Sequence, residues 1–177
     1  MKRAADVAQS MRIVPVTQLF DNYAYLAIDD EGVAAVVDPA EAAKVLDAVA
    51  REGVRLAAIL STHHHPDHVG GNEELVDQMR GSGFRVFGYS GDAERIPGIT
   101  DELDDGEEFA VSPGLRGRAI FIPAHTRGHL AYYFESDSVV FTGDTLFAGG
   151  CGRLFEGDAR QMKASLERLA AIPDETL

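Results

Sequence analysis

A dense group of metal-binding residue types lies in the interior of the chain. The run Thr62-His63-His64-His65-Pro66-Asp67-His68 holds four of the protein's six histidines and one carboxylate. Neutral imidazole and ionised carboxylate are the ligands that zinc and similar divalent ions prefer. The run is internal and is interrupted by a proline and an aspartate, unlike a terminal affinity tag. These features predict a metal centre.

The neighbouring segments place this run at the edge of a sheet. Arg55 to Leu60 is an apolar run of strand length, and a helix is expected from Glu73 to Arg80. In an α/β sheet, the loop between a strand and the following helix lies at the carboxyl ends of the strands, where ligands usually bind.

The spacing within the run allows two adjacent ions. His63 and His65 are two residues apart, so an extended backbone directs both side chains to one side. After the turn expected at Pro66, Asp67 and His68 point elsewhere.

Two later segments repeat this placement of polar residues after a strand. Arg118 to Pro123 reads as a strand and is followed by His125 and His129. Asp137 to Thr142 also reads as a strand, and Asp144 follows it. Alone, each of these residues would be read as an ordinary loop residue, but the recurrence favours a shared site.

Three segments carry a family resemblance. The run Thr62 to Asn72 resembles the signature of the metallo-β-lactamase superfamily. Pro123 to His129 and Gly149 to Gly157 resemble glyoxalase II, the hydroxyacylglutathione hydrolases, and the last segment is the most specific. The resemblance runs from about Ile13 to the last residue and implies an α/β fold, the αββα sandwich of the superfamily.

The resemblance also implies a ligand set of two divalent ions, with zinc as the first choice and iron or manganese as alternatives. One ion would be held by His63, His65 and His125. The second would be held by Asp67 and His68, and Asp144 would bridge the two.

Other residues receive supporting roles from the resemblance. Asp67 and Asp144 would be the catalytic carboxylates. Asp38 and His129 would contact the ligands rather than the ions, although Asp38 reads equally well as a turn residue that ends a strand. His64 would point away from the site.

The implied activity is hydrolysis of a thioester. Water activated between two ions would attack S-D-lactoylglutathione or a similar 2-hydroxyacyl-glutathione and release glutathione and the 2-hydroxy acid. The partner is thus a small-molecule glutathione conjugate. Arg153 and Phe155 are the candidate substrate-binding residues. Phe155 stands where relatives often carry tyrosine, which removes one hydrogen bond.

The family pattern continues beyond Leu177, with a further histidine ligand and a helical C-terminal domain. We therefore expect residues 1–177 to form the metallo-β-lactamase-fold catalytic domain, truncated at its C-terminus. The second metal would then be under-ligated and less occupied than the three-histidine site.

Two alternative functions stay open. One is a persulfide dioxygenase that uses a single iron with two histidines and an aspartate. The segment from Gly152 to Gly157 argues against it because it resembles the hydrolase loop. The other is a catalytically weak or silent metal-binding fragment.

Composition limits the partners. A net charge of −13 and a pI near 4.7 argue against nucleic acid, which needs a basic surface. No apolar stretch approaches the roughly 18 residues of a membrane helix, and Met1 to Asp6 lacks an apolar signal core. The lone cysteine, Cys151, fits a reducing, cytoplasmic location. Oligomeric state is left open.

The remaining elements are read from pattern and turn residues. Strands are expected at Arg12 to Thr17, Tyr23 to Ile28, Val33 to Val37 and Phe84 to Tyr89, and helices at Ala40 to Arg51, ended by Gly53, and at Ala159 to Ala171. Gly91 to Glu108 is expected to be a solvated surface loop.

Overall fold

The computed structural model describes residues 11–177, so the opening segment Met1 to Asp6 lies outside the described part. Its strands are β1 (Arg12–Gln18), β2 (Asn22–Ile28), β3 (Val33–Val37), β4 (Arg55–Leu60), β5 (Arg85–Tyr89), β6 (Asp101–Leu103), β7 (Glu108–Ser112), β8 (Leu115–Phe121), β9 (Leu130–Phe134) and β10 (Val139–Phe141). Its helices are α1 (Ala42–Glu52), α2 (Pro66–Val69), α3 (Asn72–Gln78) and α4 (Ala159–Leu169).

The strands form two sheets. One has six strands in the order β1-β2-β3-β4-β5-β6, and the other has four in the order β10-β9-β8-β7. The first three strands of the larger sheet pair antiparallel, whereas β3 to β6 run parallel. The carboxyl ends of β3, β4 and β5 therefore meet at one edge, where polar loop residues can converge.

Three apolar layers confirm the αββα sandwich. Leu60 and Phe87 of the larger sheet pack with Tyr132 and Phe134 of the smaller sheet in one cluster. A second cluster covers the other face of the larger sheet with side chains from α1 and α3, among them Val45 and Leu75. A third joins Ile120 and Tyr133, from the outer face of the smaller sheet, to Leu169 of α4.

The sequence explains the central elements. All five residues of β3 are buried, as expected for a central strand that is covered on both faces. Helix α1 ends as predicted at Gly53, whose left-handed φ of 65° is accessible to glycine without strain. Helix α4 begins with a reciprocal capping box between Asp158 and Gln161. Among residues 11–177, no helix has both the length and the apolar character needed to cross a bilayer.

The solvated loop predicted from Gly91 to Glu108 is wrong in part. Asp92 and Ile96 are buried, and Asp101–Leu103 forms β6 beside β5. The polar composition of this segment did not indicate that part of it is buried, because the buried carboxylate of Asp92 is paired with arginines. The strand expected from Asp137 to Thr142 is shorter, and strands β7 and β9 were not assigned from sequence.

Candidate metal centre

Loops that follow four strands bring the candidate ligands together. Asp38 follows β3, and the histidine run follows β4. From the smaller sheet, His125 comes after β8 and Asp144 after β10. Asp67 and His68 lie in the short helix α2, which Pro66 begins.

Three imidazoles converge on one point. The Nδ1 atom of His65 lies 3.0 Å from Nε2 of His63 and 3.0 Å from Nε2 of His125. Ligand atoms held about 2.1 Å from a tetrahedral ion are roughly 3.4 Å apart, so these distances suit a zinc-sized ion. The residues grouped for an ion here are the three predicted for the first site.

Hydrogen bonds leave Nε2 of His63 free to face the centre. The Thr62 hydroxyl donates to Asp38 Oδ2 at 2.7 Å, so its oxygen accepts from His63 Nδ1 at 3.0 Å. The proton of neutral His63 is therefore on Nδ1, and Nε2 carries a lone pair.

The same tautomer follows for His125, and Nδ1 of His68 likewise faces an acceptor. His125 Nδ1 lies 2.8 Å from the carbonyl oxygen of Arg153, which can only accept, so this nitrogen donates. His68 Nδ1 lies 3.0 Å from Asp38 Oδ2, while its Nε2 is buried without a hydrogen-bond partner. An unpartnered, buried ring nitrogen of this kind fits a metal ligand.

A second convergent group contains His63, His68 and Asp144. Asp144 faces both groups, because Oδ1 lies 3.2 Å from His68 Nε2 and Oδ2 lies 3.3 Å from His125 Nε2. Asp67 stands at the rim instead. Its Oδ2 accepts from Asn22 at 3.0 Å and is 3.7 Å from His68 Nε2.

Burial and the neighbouring carboxylates set the charges of the candidate ligands. Burial would lower the pKa of His68, but Asp38 and Asp144 raise it to about 10. Burial opposes ionisation of Asp144, yet His68 lowers the pKa of that carboxyl. For His63, burial and then the neighbouring imidazoles hold the pKa well below its usual range. Neutral imidazole is the form that binds metal.

The two remaining histidines contact other groups. His129 is fully buried, its ring stacks on His63 at 4.7 Å, and its Nε2 accepts from the Asp144 backbone at 3.2 Å. Burial lowers its pKa to about 3. His64 is turned away, because its Nε2 accepts from Arg95.

The candidate substrate-binding residues, Arg153 and Phe155, lie on an exposed loop beside the histidines. The Phe155 ring contacts the rings of His65 and His125, with centroid distances of 5.3 Å to each. The Phe155 amide donates to the His125 carbonyl at 3.2 Å. The Arg153 side chain is exposed, so it is accessible to an anionic ligand.

Gly152 permits this loop to approach the centre closely. A Cβ at this position would overlap the Asp144 carbonyl oxygen and lie 2.8 Å from His125 Nδ1. Only a residue without a side chain fits between the two candidate ligands.

Several residues of the site were not identified from sequence. Thr62 fixes His63, and Asn22 holds Asp67. Asp92, Arg95 and Glu156 form a charged network next to His64. The contacts of Asn22 with Asp67, of Arg95 with His64 and of Arg95 with Glu156 join residues 31 to 61 positions apart, so local pattern carried no signal for them.

Comparisons with known proteins agree with this architecture. The family model of the metallo-beta-lactamase superfamily matches residues 18–177. The chain therefore belongs to the metallo-β-lactamase superfamily.

Individual relatives are more specific. The chain is 52% identical over 167 residues to a hydroxyacylglutathione hydrolase of Gloeobacter violaceus, with 94% of this chain and 65% of that protein covered. It also resembles the crystal structure of ETHE1 from Myxococcus xanthus, with a TM-score of 0.79, 30% identity and coverage of 94% and 73%. The di-iron-bound form of TTHA1623 gives a TM-score of 0.75 at 29% identity, with coverage of 92% and 88%.

The chain spans about 65% of the length of that curated hydrolase. The family model and this relative confirm the family resemblance predicted from the sequence, and the matched range 18–177 includes strands β2 to β10 and the candidate metal centre.

Proposed function

We propose that this chain is a metal-dependent thioester hydrolase of the glyoxalase II type. The observation that carries the proposal is the convergence of His63, His65 and His125, with the bare ring nitrogens of His63 and His125 facing the candidate site. The 52% identity to a hydroxyacylglutathione hydrolase supports the substrate class.

The first ion would be held by His63, His65 and His125, and the second by His68, Asp144 and Asp67. The second set is weaker on geometric grounds, because Asp67 lies at the rim and faces Asn22. When bound, divalent ions polarise a carbonyl and lower the pKa of water to about 7. Zinc suits this mixture of nitrogen and oxygen donors, as do iron and manganese.

The chain's own groups complete the reaction. Asp67, with its side chain about half exposed, is the group available to orient a water molecule and take up its proton. Water adds its oxygen to the thioester carbon, the carbon–sulfur bond breaks, and the thiol and the 2-hydroxy acid are the products. A thiolate leaves readily, so the site needs no strong general acid.

The exposed loop that carries Arg153 and Phe155 would bind the substrate. The Arg153 guanidinium can pair with a carboxylate of the glutathione conjugate. This attraction has to be local, because the net charge of −13 repels an anionic substrate. Phe155 offers an apolar surface next to His65 for the acyl group. The single cysteine suits a reducing compartment, so we place this activity in the cytoplasm.

The test is hydrolysis of S-D-lactoylglutathione after loading with zinc, iron or manganese, followed by loss of thioester absorbance. We expect turnover that depends on metal and disappears in His125→Ala. Asp77→Asn, an exposed carboxylate on α3, is the matched control and retains the rate. If the chain binds metal but hydrolyses no thioester at any metal loading, it is the catalytically silent metal-binding fragment instead.

A second candidate is the single-iron persulfide dioxygenase. The group His63, His68 and Asp144 has the two-histidine, one-carboxylate composition of non-haem iron oxygenases. Oxygen uptake with glutathione persulfide by the iron-loaded protein, without thioester hydrolysis, would establish this function in place of the first.

A further inference from the structure

We propose that Arg95 and Glu156, anchored on the buried carboxylate of Asp92, are positioning residues. They hold together three loops: the loop of His63 and His65, the loop of His125, and the loop of Arg153 and Phe155. The inference rests on the proposed metal-dependent function. It concerns residues that bind neither ion nor substrate, and it assigns a role to a charged network that the hydrolytic chemistry leaves unused.

The anchor is an unusual carboxylate. The Asp92 side chain has no exposed surface. Its Oδ1 accepts from Arg95 Nη1 at 3.1 Å and lies 3.5 Å from Arg127 Nε. A buried charge is costly unless it is paired, so this residue requires its arginine.

Arg95 extends from the anchor to two site loops. Its Nη2 donates to His64 Nε2, in the loop between His63 and His65. Its Nη1 and Nη2 both donate to Glu156, in the loop of Arg153 and Phe155. The planar guanidinium offers five donors in a fixed fork, which a lysine cannot reproduce.

Glu156 extends the network to the third loop. Its Oε2 accepts from the Arg127 backbone at 2.8 Å, two residues after His125. Arg95 lowers the pKa of Glu156 to about 2, so the carboxylate stays charged at neutral pH. Gly128 packs against Asp92 so closely that a Cβ would overlap the carboxylate.

The consequence is mechanical coupling between the loops and the centre. Glu156 is adjacent to Phe155, whose ring contacts His65 and His125 and whose amide binds the His125 carbonyl. If the Arg95–Glu156 pair is lost, the loop is released from both histidines. Metal affinity and the position of the candidate substrate-binding residues, Arg153 and Phe155, then change together.

The experiment is a double-mutant cycle on the full chain, with Arg95→Gln, Glu156→Gln and the pair combined. Zinc affinity is measured by competition with a chromophoric chelator, and KM and kcat by thioester hydrolysis. We expect each single variant to weaken zinc binding about tenfold, as loss of supporting groups around metal ligands does. KM should rise while kcat at saturating zinc and substrate changes less than about threefold. The combined variant should be no weaker than the worse single one, and Arg95→Lys should be intermediate.

Asp101→Asn is the control, because Arg85 and Asp101 form a comparable partly buried pair at the opposite end of β5. It should leave zinc affinity and KM unchanged. Additive effects in the cycle, or equal losses in the control, would refute the positioning role, as would single variants with wild-type zinc affinity and KM.

Amide hydrogen exchange gives a readout that is independent of hydrolysis. In metal-free Arg95→Gln, residues 152–157 should exchange faster than in the wild type, with α1 unchanged. Unchanged exchange in that loop overturns the inference. A wild-type protein that binds zinc but does not hydrolyse thioesters defeats the proposed function alone.

Discussion

The carboxylate of Asp38 binds two parts of the candidate metal centre at once. Its Oδ2 lies 3.0 Å from His68 Nδ1 and accepts from the Thr62 hydroxyl at 2.7 Å, while Oδ1 accepts from the Thr62 amide at 2.7 Å. One buried side chain therefore sets the ring orientation of His68 directly and of His63 through Thr62.

Replacement of Asp38 by asparagine should destabilise the fold by about 3 kcal/mol, because buried donors lose their charged acceptor. Asp38 has a φ of 52°, which asparagine tolerates, so the backbone is not the cause. Urea unfolding gives the stability, and zinc affinity should also fall. Asp29→Asn is the control. Asp29 is a buried turn carboxylate at the other end of β3, so stability should fall without an effect on zinc. Equal zinc affinity in the two variants would contradict this role of Asp38.

Gly152→Ala should reduce zinc affinity and hydrolysis by at least about tenfold, because the added Cβ pushes His125 and the Asp144 backbone apart. Gly149 lies in the same loop, but a methyl group added there would meet nothing within 4 Å, so Gly149→Ala should behave as the wild type. Zinc titration of both variants measures the difference. Matching behaviour of the two alanine variants would show that the close approach is unimportant.

Zinc should stabilise the folded chain, since ions that bind only the native state shift the unfolding equilibrium. At a free concentration of about 100 times Kd the gain is about 2.7 kcal/mol. A chelator should remove it, and His65→Ala should abolish most of it. Thermal unfolding with and without zinc provides the measurement. An unfolding temperature that is insensitive to zinc in the wild type would be evidence against a preformed centre.

The Arg95–Glu156 pair should make stability depend on pH in acid. The folded-state pKa of Glu156 is about 2, below its ordinary value of 4.5, so the stabilisation is complete above pH 4.5. It is lost as the pH falls toward 2, because the carboxylate is then protonated in the folded state too. The difference in unfolding free energy between the wild type and Glu156→Gln should thus shrink with acid. A difference that is constant from pH 6 to about pH 2 would contradict this linkage.

Local patterns predicted the elements that carry the histidines, because β4 is a short apolar run and its polar loop follows at once. The helix end at Gly53 was equally readable. The charged network was not, because Arg95 and Glu156 are 61 residues apart and their pairing depends on tertiary packing. The polar sequence around Asp92 predicts a surface position, whereas Asp92 is buried, because its burial also depends on tertiary packing.

Details of the candidate site were also beyond local pattern. Sequence placed Asp67 with His68, but the contact of Asp67 with Asn22 depends on how β2 meets α2. His65 directs Nδ1 rather than Nε2 toward His63 and His125. This choice depends on the side-chain rotamer, which residue spacing does not determine. The positions of the histidines after strands favoured a shared site, and the family resemblance implied the grouping of His63, His65 and His125.

Strand pairing in the larger sheet determines whether the Asp38 network can form at all. Val37 is opposite Leu60 in the parallel pairing of β3 with β4, which sets Asp38 beside Thr62. A slip of one residue would turn every side chain of β3 to the opposite face and remove this carboxylate from the histidines. An ion that binds only the correctly registered chain would therefore stabilise the native strand alignment relative to one shifted by a residue.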